Sequence, residues 1–91
     1  MSRAQQTVTI RNKLGLHARA ATKLAKLAHQ FDAKVKVLND GKEYDASSVM
    51  CLLLLAGSQG KQFDIVAEGT DAEQAVAAIA ALVEARFDEE C

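Results

Sequence analysis

Apolar and polar residues alternate along TVTIR (Thr7 to Arg11), which puts Val8 and Ile10 on one face of a strand. NKLG then turns the chain. From Ala18 to about Gln30 the apolar positions recur at helical spacing, as Ala20, Ala21, Leu24, Leu27 and Ala28, with Phe31 just beyond the end. Arg19, Lys23 and Lys26 lie among them and predict a basic exposed side. Alternation resumes in AKVKVL, with Ala33, Val35 and Val37 inward and Lys34 and Lys36 outward. The following Asn39-Asp40-Gly41 is a hairpin signal, because these residues tolerate positive φ. The returning strand covers about Lys42 to Ala46.

The next stretch, SSVMCLLLLAG, is ambiguous by periodicity alone. A cap at Ser47 or Ser48 and a stop at Gly57 favour a short helix from Val49 to Ala56. QFDIVAE, from Gln62 to Glu68, alternates Phe63, Ile65 and Ala67 as a fourth strand. The last segment opens with Thr70 and Glu73 in capping-box spacing and carries an inward stripe of Val76, Ile79, Ala80, Val83 and Phe87.

The element order is therefore β-α-β-β-α-β-α. Each strand has one apolar face, so the sheet is covered on one side only. The expected fold class is α+β: a two-layer, open-faced sandwich in which three helices cover one face of a four-stranded antiparallel sheet. The first and second strands run parallel in it, with another strand inserted between them.

Ninety-one residues predict one domain over residues 1–91, and neither repeat nor linker interrupts it. A net charge of −1 favours neither nucleic acid nor an anionic membrane surface, and a monomer is expected. The first ten residues lack the apolar core of a signal peptide, and the apolar run Val49 to Ala56 is too short to span a bilayer. A reducing cytoplasm is the expected compartment. Cys51, inside an apolar run, reads as a buried thiol and Cys91 as a frayed terminal one. No metal-ligand spacing occurs, so neither metal nor cofactor is expected. Asp88 to Glu90 reads as a solvated acidic tail, and His29 as a surface histidine compatible with a helix C-terminus. GSQGK lacks the spacing of a phosphate loop and the Ser or Thr after its lysine.

The candidate chemistry concentrates in NKLGLHARAA, Asn12 to Ala21. A helix starting at Ala18 puts His17 at its N-cap, beside the free N–H groups of Ala18 and Arg19 and the positive end of the helix dipole. Such a site binds phosphate through backbone donors, and the Arg19 guanidinium adds a fork matched to phosphoryl oxygens. The dipole and Arg19 together favour a neutral imidazole with one nitrogen free to attack. Gly15 permits a tight approach to the helix, and Asn12 is placed to orient groups across the turn. An ordinary helix-start histidine remains open on these features alone.

Gly15, Leu16, His17, Arg19 and Ala21 match the pattern Gly-Leu-His-x-Arg-Pro-Ala. The segment thereby resembles the active-site motif of the HPr family, histidine-containing phosphocarriers of the bacterial phosphoenolpyruvate phosphotransferase system. SSVMCLLLLAGSQG resembles the family's second signature, a serine opening a short apolar helix before a glycine-containing turn. The derived element order is also the family's, so the resemblance covers about Thr7 to Phe87.

The resemblance implies a carrier rather than an enzyme with its own turnover. His17 would take a phosphoryl group on Nδ1 from phospho-enzyme I and pass it to an EIIA-type protein, with Arg19 steadying the group. Ser48 matches the serine modified by HPr kinase/phosphorylase in some bacteria. Val49, Met50, Leu53 and Leu54 cannot all face a one-sided core, so they are either buried further under a loop or partly exposed. The resemblance implies the second, a partner-docking patch with Lys26 at its rim. Ala20 stands where the family usually has proline; both residues suit a first helical turn, so the helix and its chemistry are expected to survive. NKLGLHARAA, the FDA after the first helix and the closing RFDEE are similar to the nitrogen-related branch, with its dedicated enzyme I and EIIA. The alternative on the same fold is a regulatory binding protein that acts by occupancy, without an obligatory relay.

Overall fold

The computed structural model describes residues 2–55 and 58–89. The helix stop at Gly57, the terminal thiol of Cys91 and Glu90 of the tail lie outside the described residues. The elements run β1 (Ser2–Thr9), α1 (Ala18–Ala28), β2 (Ala33–Asn39), β3 (Lys42–Asp45), α2 (Val49–Leu55), β4 (Gln62–Gly69) and α3 (Ala72–Glu84), ending in a short turn over Arg86–Asp88.

The strands form one antiparallel sheet in the order β1-β4-β2-β3. Central β4 pairs with β1 from Ser2↔Gly69 to Thr9↔Gln62, and with β2 from Ala33↔Gly69 to Leu38↔Asp64. β1 and β2 therefore run parallel with β4 between them, as expected for the open-faced sandwich. The β2–β3 hairpin closes on Asn39↔Lys42, with φ of 52° at Asp40 and 80° at Gly41. Both central residues thus have the positive φ of a hairpin turn that matches strand twist.

Between sheet and helices lies an apolar layer of Val8, Val35, Val37, Phe63, Ile65 and Ala67 from the strands. It meets Leu24 of α1, Leu52 and Leu55 of α2, and Val76, Ile79 and Val83 of α3. Each such large side chain contributes about 1.5–3 kcal/mol when fully buried. Val66 is buried on the other face, where its register partners are Gln5 and Lys36.

Four expectations need correction. β1 begins at Ser2 and ends at Thr9, not at Thr7 and Arg11, because backbone pairing with β4 sets its length while its first residues lack an apolar alternation. Ile10, beyond the strand, is still buried; its N–H donates to Lys61 O at 2.9 Å and its carbonyl accepts from Gly60 at 2.8 Å. Thr70 and Glu73 form no capping box, since the N-cap of α3 is Asp71 and its side chain does not cap. The Asp71 carboxylate instead accepts the Asp32 N–H at 2.8 Å, while the Asp71 N–H donates to Asp32 O at 3.0 Å. This reciprocal pair fastens the turn before β2 to the turn before α3. Cys51 is only partly buried.

The last correction shapes the site. α3 stops at Glu84, and Arg86, Phe87 and Asp88 take φ of 60°, 53° and 63°. Left-handed conformations cost roughly 1–2 kcal/mol per non-glycine residue, so this turn needs contacts to hold it. Phe87 is fully buried, and Lys23 Nζ donates to its carbonyl at 2.8 Å. Glu89 N–H then closes the turn on Arg86 O at 2.9 Å. Residues 86–89 are thereby folded back onto α1.

Candidate functional site

His17 lies just before α1 in extended backbone (φ −82°, ψ −179°), and its carbonyl accepts the first helical hydrogen bond from Ala21 N–H at 2.8 Å. Its ring does not cap the helix. The N–H groups of Ala18 and Arg19 precede that first bond and lack intrahelical acceptors, so the helix starts with open donors and a partial positive charge. Leu16, buried in the core, fixes the entry to the helix, and Ala20 and Ala21 pack its first turn inward. The alanine at position 20 is thus compatible with a helix beginning at Ala18, as expected.

The approach to His17 is a tight turn from Asn12 to Gly15. Gly15 has φ of 70°, a left-handed conformation that suits glycine, and its N–H donates to Asn12 O at 3.2 Å. Asn12 is fully buried, and its Nδ2 donates to Gly15 O at 2.7 Å and to Glu89 Oε1 at 2.8 Å. Asn12 Oδ1 is buried with no partner among the described residues. Asn12 and Gly15 therefore do shape the turn, and Asn12 reaches further than the sequence indicated.

Glu89 is the residue that sequence reading missed. Its carboxylate accepts from His17 Nε2 at 2.5 Å through Oε2, and Arg19 Nη2 lies 3.4 Å from the same oxygen. Its side chain is only 13% exposed, against 25% for His17 and 67% for Arg19, so the tail is not wholly solvated as expected. Burial pushes its pKa up, but the hydrogen bonds from Asn12 and His17 and the charges of His17 and Arg19 prevail and hold it below the ordinary carboxylate value. Glu89 is thus an ionised acceptor at neutral pH. In the neutral imidazole that acceptor places the single ring proton on Nε2 and leaves a lone pair on Nδ1.

Residues 4–85 match the family model described as the PTS HPr component phosphorylation site. The chain belongs to the HPr family. It is 51% identical over 89 residues to the phosphocarrier protein NPr of Shewanella violacea, covering 98% of both chains. It is 48% identical over 87 residues to NPr of Escherichia coli K12, covering 94% of this chain and 97% of the relative. Among solved structures, HPr-C-His from Thermoanaerobacter tengcongensis superposes with a TM-score of 0.92 at 39% identity, covering 97% of this chain and 99% of the other.

The other residues of interest in this HPr-family protein lie around α2. Ser48 N-caps it: Ser48 O accepts Leu52 N–H at 3.1 Å and Ser48 Oγ accepts Cys51 N–H at 3.3 Å. Upstream, Asp45 Oδ1 accepts both the Ser47 hydroxyl at 2.6 Å and the Ser47 N–H at 2.9 Å, which lowers the Asp45 pKa in that order despite some burial. Met50 and Leu54 are 71% and 73% exposed, Leu53 is 39% exposed, and Leu52 and Leu55 face the core. Val49, included in the expected patch, is half-buried against the core instead. Leu14, in the turn before His17, is a further exposed apolar side chain that the periodicity did not single out. Lys26 is exposed in the last turn of α1. His29 caps the end of α1, and its Nε2 donates to Ser47 O at 3.1 Å, tying α1 to the loop before α2. No helix among the described residues is long and apolar enough to cross a membrane.

Proposed function

We propose that this protein is a phosphoryl carrier in which His17 Nδ1 accepts a phosphoryl group from phospho-enzyme I, ultimately from phosphoenolpyruvate, and passes it to an EIIA-type protein. The observation that carries the reading is a part-exposed imidazole at a helix N-cap that leaves the helix's own donors uncapped. Phosphate attached there meets the N–H groups of Ala18 and Arg19 and the Arg19 guanidinium. Arg19 is mostly exposed and 3.4 Å from Glu89 Oε2, an oxygen that His17 Nε2 also holds, so it turns to a phosphoryl group without leaving that oxygen unpaired.

Met50, Leu53 and Leu54 form the partner-docking surface, with half-buried Val49 at its base and Lys26 steering acidic partners. Ser48 is the candidate for regulatory phosphorylation by HPr kinase/phosphorylase. A phosphate there is compatible with the α2 N-terminus, and its charge disturbs the neighbouring apolar surface. We place the protein in the nitrogen-related phosphotransferase system of the cytoplasm. Two relatives named NPr support that assignment.

The test charges the protein with labelled phosphoenolpyruvate and each of the organism's enzyme I proteins separately, then chases the label onto EIIA-type acceptors. Faster charging by the nitrogen-type enzyme I, followed by transfer to its EIIA, is expected. A charged protein that passes label to no EIIA-type acceptor contradicts the relay and favours action by occupancy.

A further inference from the structure

We propose that Glu89 is a positioning residue for phosphoryl transfer at His17, holding the Nε2 proton so that Nδ1 is the attacking nitrogen, and that Asn12 holds Glu89 for that task. The inference rests on the carrier reading above and deepens it. Three observations meet at one carboxylate. His17 Nε2 donates to Oε2, buried Asn12 donates to Oε1 at 2.8 Å, and Arg19 stands 3.4 Å from Oε2. The carboxylate is largely withdrawn from water, and it is delivered by a left-handed turn anchored on buried Phe87 and on Lys23. A solvated tail would need none of this.

The chemistry follows from the two edges of the imidazole. Nδ1 uses its lone pair to form the new nitrogen–phosphorus bond; the bond from phosphorus to the phosphorylated donor breaks, and the donor's leaving atom keeps that electron pair. The Nε2 proton stays where it is, so the ring becomes cationic as the bond forms. That charge is shared towards Nε2, directly against the ionised Glu89. A fixed carboxylate aimed where positive charge develops stabilises the transition state more than the neutral ground state. Because Nδ1 and Nε2 lie on opposite edges of the ring, Glu89 and the phosphoryl group do not compete for His17. They compete only for Arg19.

The test uses the full chain with Glu89→Ala, Glu89→Gln and Glu89→Asp, and two readouts. The first is the nitrogen NMR spectrum of the His17 ring at about pH 8.5, well above the ordinary histidine value. The second is the single-turnover rate of transfer from phosphorylated enzyme I. In the parent protein, Nε2 shows the signature of a protonated nitrogen and Nδ1 that of a bare one. In Glu89→Ala both signals move towards the tautomer mixture of free histidine, and transfer slows roughly tenfold to a hundredfold. Glu89→Gln retains an acceptor but loses the charge, so it slows transfer with a smaller change in the ring signals. Glu89→Asp recovers part of the rate. Unchanged ring signals or an unchanged rate in Glu89→Ala overturns the proposal. A parent protein that accepts no phosphoryl group overturns the carrier reading with it, whereas a charged parent matched by Glu89→Ala overturns the role of Glu89 alone.

Discussion

Asn12 and Glu89, 77 positions apart in the chain, share a 2.8 Å hydrogen bond from Nδ2 to Oε1 beside His17. The same Nδ2 donates to Gly15 O at 2.7 Å, so one buried amide joins the turn before α1 to the segment that follows α3.

Removing that amide should be costly. Asn12→Ala leaves Gly15 O and Glu89 Oε1 without their shared donor, while His17 and Arg19 still serve Oε2, and we expect a loss of about 2–3 kcal/mol. Urea unfolding at neutral pH measures it. A loss below about 0.5 kcal/mol would show that water replaces the amide at no cost.

Acid should weaken the start of α2. The native Asp45 pKa is lowered, chiefly by the Ser47 hydroxyl, so its contribution is fully present above the unfolded value of about 4 and is lost as pH falls through the native value. Asp45→Ala is expected to cost about 1 kcal/mol at pH 7, after allowance for its exposure to solvent. The gap between variant and parent should narrow steadily as pH falls below about 4. A gap that stays constant through that acid range contradicts the assignment.

The two faces of α2 should respond differently to truncation. Leu52 is fully buried and Leu54 is 73% exposed. Leu52→Ala is expected to cost about 2–5 kcal/mol, and Leu54→Ala no more than about 0.5 kcal/mol. If the outer face docks partners, Leu54→Ala should nevertheless slow transfer from phospho-enzyme I. Equal stability costs for the two would contradict the orientation of α2.

Gly69 closes β4 with φ of 141°, and a Cβ there would lie 2.8 Å from both Ala33 Cα and Asp32 O. Both obstacles belong to the backbone that Asp71 pins in place. We expect Gly69→Ala to cost more than about 1 kcal/mol, read as a lowered Tm. An unchanged Tm would mean that the turn before β2 yields freely.

The fold was largely legible because strand alternation and helical spacing report burial directly. Val35 and Val37, or Ile79 and Val83, are inward in the pattern and inward in the molecule. The helix start at His17 was equally visible, since a turn glycine and a following apolar spacing bracket it. Glu89 was not, because an acidic run at a chain end looks solvated whatever its partners. Its one local signal was Phe87, four residues after Val83 on the inward stripe. An anchored Phe87 implies that the next residues stay close to the body, but only the left-handed turn from Arg86 to Asp88 decides where they point. The false capping box at Thr70 has a similar origin. Asp71 serves a partner 39 positions away, which local spacing does not record.

The most direct test of the central claim is intact mass after incubation with phosphoenolpyruvate and enzyme I, for the parent protein and for His17→Ala. One acid-labile phosphoryl group on the parent and none on the variant is the expected result. A phosphoryl group that survives His17→Ala, or a parent that none of the organism's enzyme I proteins modifies, would contradict it.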